Sequence, residues 1–400
     1  MERDDERIGR VKRALAEAGV DALVCSLPMN VLMLSGYWPV VGASLVLFAR
    51  EGRVTLLVPE DEEELAGKGW AGEVRTFSTG SLEEIKSVAE SVLGPLSEVA
   101  RELGVGRGRV VGFEDNSVSE PLPYAAMHLY GASIRRLIGQ TMRFCAVVPA
   151  GELLARLRAV LSPHEVGRVR AACRVAEEAF RRGARGVRAG LRETEIAAAF
   201  REPLSTVGTG FDGVARADGF TFCMSGENSA EAYASYQRSR GRELRDGDLA
   251  LVHCNSYADG FWTDITRTFC VGAADAGKRR MYEAVFAARR AALAAIRPGA
   301  GAAEVDETAR QVLTAYGFGA EFKHGLGHGV GFAAINHNAP PRLHPASTDV
   351  LEAGMVFNVE PAIYFEGYGG MRHCDVVVVT EEGAEVLTPF LSSVEELAIT

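Results

Sequence analysis

Residues 251–269 read LVHCNSYADGFWTDITRTF, and residues 356–379 read VFNVEPAIYFEGYGGMRHCDVVVV. Each is two β-prone runs around a Gly-containing turn, at Ala258–Gly260 in the first and Gly367–Gly370 in the second. That pattern predicts two hairpins. Residues about equally far from a hairpin turn become cross-strand neighbours, with Cβ atoms roughly 4.5–5.5 Å apart. The expected facing pairs are His253 with Asp264, and Glu360 with Cys374. Between the hairpins lies HGLGHGVG, residues 324–331, which sets His324 and His328 in a Gly-rich frame. Imidazole, carboxylate and thiol groups brought together in this way suit one metal ion or one small polar substrate.

Working outward, each hairpin follows two helical patterns. Helices near 163–184 and 193–206 precede a hairpin near 248–272; helices near 276–296 and 302–316 precede a hairpin near 354–380. Ser162-Pro163-His164-Glu165 reads as a capping box with Pro in the first turn. The halves share architecture without evident residue identity. Two such units predict one antiparallel sheet with helices on one face and the polar pairs on the other. The polar, Tyr-containing stretch 207–248 connects helix to sheet, as substrate-binding loops often do. The first third reads as α/β, with a helix near 5–18 and strands at Ala22–Cys25, Ser44–Ala49, Val54–Val58 and Val110–Phe113. Further helices are expected near 83–103 and 120–129. The fold class is therefore α+β, with an α/β domain over 1–155 and a duplicated helix–helix–hairpin domain over 156–400.

The chain has 400 residues, 47% hydrophobic and 24% charged, which suits two soluble globular domains. A net charge of −10 argues against a nucleic-acid binder and gives no reason to expect an anionic membrane surface. No apolar run is long enough to span a bilayer. The start, MERDDERIGR, lacks the apolar stretch of a secretory signal. Seven scattered cysteines without CxxC point to a reduced, cytoplasmic protein.

Taken together, the motifs resemble those of the pita-bread family: Xaa-Pro aminopeptidases, prolidases, methionine aminopeptidases and creatinase. DALVCSLPMNVLMLSGYWPVVGAS (21–44) resembles the N-terminal domain of the creatinase and prolidase branch. SGENSA, GDLALVH, DITRTF, HGLGHGVG, GMVFNVEPAIY and GGMRHCD then follow in family order. Peptidases of this family hold two metal ions on Asp, Asp, His, Glu and Glu. The resemblance places Asp264, His328 and Glu360 at the second, third and fourth positions. His253 stands at the first and Cys374 at the last, so two carboxylates are replaced and the two-ion site is not expected in its usual form. The family's substrate-loop His falls at Tyr233. His324 and Arg372 match residues that contact substrate, and His337 is the best match for a second substrate His.

The expected function is a Xaa-Pro peptidase-like hydrolase that cleaves a C–N bond in a small peptide or amide. One divalent ion (zinc, iron, manganese or cobalt), or none, would be held by Asp264, His328 and Glu360, with Cys374 or His253 completing the shell. His324, His337, His253, Tyr233 and Arg372 would bind substrate or move protons. Two alternatives stand beside this: a metal-free, creatinase-like hydrolase, and a non-catalytic binding protein that reuses the fold. The resemblance also implies a homodimer.

Overall fold

The computed structural model describes residues 3–40, 43–78, 87–115, 132–235, 239–334, 336 and 338–399. The chain divides into two compact units, Met1–Arg158 and Ala159–Thr400. No helix among the described residues is long and apolar enough to cross a membrane.

The first unit is built on a six-stranded mixed sheet. In spatial order its strands are Glu73–Phe77, Val54–Pro59, Leu45–Ala49, Ala22–Cys25, Val110–Phe113 and Ala146–Pro149. The central strands are buried along their whole length, so they read as continuous apolar runs rather than alternating ones. Helices Val88–Glu102 and Ala132–Thr141 cover one face, packing Val92, Leu96, Ile134 and Ile138 onto Val24, Leu47 and Val111. The sequence missed the edge strand Glu73–Phe77, whose residues are mostly polar and half-buried. It also missed helix Pro28–Ser35, which is buried almost all round and has no amphipathic stripe to reveal it. That helix is capped from a distance. Buried Glu114 accepts hydrogen bonds from the Ser26 and Leu27 amides, the Ser26 hydroxyl and Asn30 Nδ2. The helix expected near 120–129 lies outside the described residues.

In the second unit both halves take the expected form. Helices Pro163–Ala184 and Glu193–Thr206 precede the hairpin Leu249–Ala258/Phe261–Val271. Helices Ala276–Ala295 and Ala302–Ala315 precede the second hairpin. The Ser162 capping box is present in full, with Pro163 in the first turn. A strand the sequence did not reveal, Ala217–Ser225, pairs with Leu249–Ala258 along its whole length. The second hairpin is interrupted: Val356–Val359 pairs with Asp375–Val379, and Ala362–Phe365 with Gly369–Arg372. The two hairpins join through an antiparallel bridge between Thr266 and Cys374, where the Cys374 amide donates to Thr266 O at 3.0 Å. Segment 324–331 runs along the other edge, with the Asn358 amide donating to His328 O at 3.0 Å. A Cβ at Gly327 would stand 1.9 Å from Asn358 O, so only glycine permits this approach.

Candidate active site

The first hairpin turns on Asp259-Gly260, both at positive φ, which sets Ala258 against Phe261. Counting inward from that turn, His253 lies opposite Thr266, and Asn255 lies opposite Asp264. The expected direct pairing of His253 with Asp264 is thus corrected to a diagonal one. The two lie on the same face, with Nδ1 and Oδ1 3.7 Å apart. In the second hairpin the ladders on either side of the interruption, Ala362 with Arg372 and Val359 with Asp375, keep one register. Glu360 falls opposite Cys374 in it, as expected.

Asp264 is the hub. His253 Nδ1 and Cys374 Sγ each stand 3.7 Å from its Oδ1, and His328 Nε2 stands 3.7 Å from its Oδ2. All four side chains are nearly inaccessible to solvent. The Arg372 guanidinium reaches into the same cluster. It donates through Nη2 to His253 Nδ1 at 3.0 Å, through Nε to Thr266 Oγ1 at 3.0 Å, and through Nη1 to Tyr364 Oη at 3.3 Å. Its Nε lies 3.8 Å from Glu360 Oε2. Tyr364 in turn donates to His324 Nε2 at 2.9 Å, because His324 Nδ1 gives its proton to Gly325 O.

These partners settle the state of each group. An arginine can only donate, so His253 Nδ1 carries the lone pair and Nε2–H donates to Asn255 Oδ1 at 2.9 Å. His253 is a neutral imidazole with both nitrogens engaged. His328 Nδ1–H donates to Gly329 O at 3.1 Å, which turns the Nε2 lone pair toward Asp264. Burial, with Asp264 and Glu360 adding to it, pushes the Cys374 thiol up well above its usual range. Its S–H donates to the Asp264 carbonyl at 3.1 Å. Burial also raises Glu360 to about 8; Arg372 pulls it down, and Asp264 pushes it further up.

One expected residue stands apart from the buried cluster. Tyr233 is 42% exposed at the edge of the cluster. Its ring lies 5.5 Å from that of Tyr364, with Lys323 Nζ 4.6 Å from its centroid. His337 lies outside the described residues. Sequence reasoning missed four participants: Asn255, Thr266, Asn358 and Tyr364. Asn358 accepts from the His328 amide at 2.6 Å and brings Nδ2 to within 3.3 Å of His328 Nε2. Strand alternation from His253, Asp264 and Glu360 would have found all four, since each lies two or four positions away on the same face.

The five-ligand, two-ion set implied by the resemblance does not fit these residues. His253 engages its one lone pair with Arg372, and the Cys374 S–H donates to a carbonyl. Glu360 leans toward Arg372. Among the described residues no three His, Cys, Asp or Glu side chains form a group that could hold an ion.

Comparison with known proteins places this geometry. The chain is 28% identical to an Xaa-Pro dipeptidase of Pyrococcus furiosus, covering 96% of this chain and 97% of that one. It is 33% identical to a probable dipeptidase, PepE, of Mycobacterium tuberculosis, covering 71% of this chain and 75% of that protein. Among solved structures, the prolidase from Pyrococcus horikoshii superposes with a TM-score of 0.74 at 26% identity, covering 96% and 98% of the two chains. An Xaa-Pro dipeptidase from Bacillus anthracis shares the fold with a TM-score of 0.78 at 24% identity, over 99% of both. Residues 7–160 match the creatinase/prolidase N-terminal domain, and residues 167–381 match metallopeptidase family M24. With that match over more than half its length, the chain belongs to metallopeptidase family M24 and carries the creatinase/prolidase N-terminal domain ahead of it.

Proposed function

We propose that this chain hydrolyses the C–N bond of a small peptide or amide at the Asp264 cluster, with Xaa-Pro dipeptides as the leading substrate class. The observation that carries this reading is the gathering of Asp264, His328, Glu360 and Arg372 on one buried sheet face, with His324 and Tyr364 leading outward from it. The names of the relatives, Xaa-Pro dipeptidase among them, support the substrate class. Hydrolysis needs a base to take a proton from water, a donor to stabilise the carbonyl oxygen as it becomes negative, and an acid for the leaving nitrogen. Water oxygen bonds to the carbonyl carbon, the C–N bond breaks, and the proton taken from water ends on nitrogen. Asp264 is the base, with His328 Nε2 beside it. Arg372 is the cationic donor, and Glu360 and His324 are the groups that return a proton. Tyr233, exposed at the rim, contacts the outer part of the substrate.

The test is turnover of a panel of Xaa-Pro dipeptides, other dipeptides and simple amides by the wild type and by Asp264→Asn. Turnover by the wild type, with a loss of about 10²–10⁴-fold in the variant, supports the reading. No turnover of any member would move the protein to the class of non-catalytic binders. A homodimer is part of the same proposal, and light scattering of the purified chain decides it.

A further inference from the structure

We infer that this site works without a divalent ion, with Arg372 as its resident cation and His253 as the acceptor that holds Arg372 in place. The inference rests on the hydrolase reading and deepens it by stating where the positive charge comes from.

Charge is the first support. The ligand set implied by the resemblance has four carboxylates, enough to balance two divalent ions. Here the corresponding positions supply two, Asp264 and Glu360, because His253 and Cys374 stand where the resemblance implies carboxylates. With the buried Arg372 guanidinium counted, even one divalent ion would set three positive charges against at most two carboxylates, an imbalance that burial penalises. The Arg372 guanidinium already stands among these groups, 3.8 Å from Glu360.

The second support is how Arg372 is held. Three side chains fix its fork: Thr266 Oγ1, Tyr364 Oη and His253 Nδ1. His253 can accept from Nη2 only while its Nδ1 is bare, and the Nε2–H bond to Asn255 maintains that tautomer. A metal at Nδ1 would compete with Arg372 for the one lone pair. Asn255 is itself unusual. It is fully buried, and its Nδ2 finds no partner among the described residues. An amide donor of that kind, directly opposite Asp264 in the ladder, suits a substrate carbonyl or carboxylate. The site thus offers fixed donors where a metallopeptidase offers Lewis acids.

The third support is Cys374. Its Sγ lies 3.1 Å from the Asp264 carbonyl oxygen and 3.7 Å from Asp264 Oδ1. That contact turns the S–H toward a backbone oxygen, at the position where the resemblance implies a bridging carboxylate.

The experiment measures metal per full-length chain by elemental mass spectrometry. Samples are taken as purified and after equilibration with Mn²⁺, Co²⁺ or Zn²⁺ followed by desalting. The wild type is compared with His253→Asp and with the double variant His253→Asp/Cys374→Glu, and circular dichroism checks folding. The expected result is fewer than about 0.2 ions per wild-type chain, with metal content rising to about one or two ions in the double variant. Turnover of the wild type stays within about twofold when a chelator is added. About one ion per wild-type chain, lost in Asp264→Ala, would overturn the inference and leave the hydrolase reading standing. Absence of both metal and turnover would remove the hydrolase reading and leave the metal-free site standing. If the double variant does not fold, the wild-type stoichiometry alone decides.

Discussion

The seam between the two hairpins has two faces one residue apart, and they treat buried charge in opposite ways. On the rear face Arg267 and Asp375 are fully buried. The Arg267 guanidinium has five oxygen partners: Asp375 Oδ1 at 2.7 Å and the carbonyls of Thr266, Cys374, Thr388 and Phe390. Arg289 closes on the other oxygen of Asp375 at 2.5 Å. These cations hold the Asp375 carboxyl well below its usual range despite burial. On the front face, Asp264 and Glu360 meet their neighbours at 3.7–3.8 Å, and burial raises Glu360 to about 8. The rear face is a saturated ion pair that locks the hairpins together. The front face holds its carboxylates 3.7–3.8 Å from the nearest His and Arg nitrogens, without a direct hydrogen bond to a cation among the described residues, and that difference in charge pairing marks it as the working surface.

The largest expected effect breaks the two faces apart. Asp264→Ala should lower turnover by about 10³-fold and change unfolding free energy by no more than about 1 kcal/mol. Arg267→Met should do the reverse. It leaves a buried carboxylate short of a partner, which costs about 3–5 kcal/mol in urea denaturation. If Arg267→Met is as stable as the wild type, the rear face is not the lock described here. If Asp264→Ala destabilises as much as Arg267→Met, the front face is structural too.

A third buried acid extends the comparison to the other unit. Glu114 has hydrogen-bond donors from Ser26, Leu27 and Asn30, and burial still raises it to about 7. Its folded value lies above the unfolded one of about 4.5, so the folded state holds the proton more tightly. Stability is highest below about pH 4.5 and falls as pH rises to about 7, by about 3 kcal/mol in all. Glu114→Gln removes this slope. The check is the difference in unfolding free energy between variant and wild type at pH 5 and pH 8. An unchanged difference would mean that the four donors keep Glu114 ionised throughout.

Much of this was legible in the sequence because period and capping carried it. Helix Pro163–Ala184 was announced by Ser162 and Glu165, and the second hairpin's facing residues by equal distance from a Gly turn. The diagonal offset of His253 was not legible, since it depends on which two residues make the turn, and Asp259-Gly260 takes that role rather than a three-residue loop. The partners of the site escaped for another reason. Alternation puts Asn358 and Tyr364 on the face of Glu360, but their hydrogen bonds to His328 and His324 stay hidden, because nothing in a linear pattern states which acceptor a histidine keeps. The same gap hid the commitment of His253 to Arg372, which weighs most against it as a ligand.

The smallest expected effect concerns Cys374, the residue where the two faces meet through its neighbour Asp375. A ligand or nucleophile would need the thiolate, yet burial and the two nearby carboxylates keep the thiol protonated. Cys374→Ala therefore removes a hydrogen bond to the Asp264 carbonyl and a small buried volume. It should cost about 1 kcal/mol of stability and leave turnover within about threefold. Iodoacetamide at pH 8 should leave Cys374 unmodified in the folded protein, read by mass spectrometry of the tryptic peptide, and label it fully in urea. Rapid labelling of the folded chain, or a hundredfold loss of turnover in Cys374→Ala, would show that a thiolate works on the front face. In that case the neutral-thiol account of the site would have to be given up.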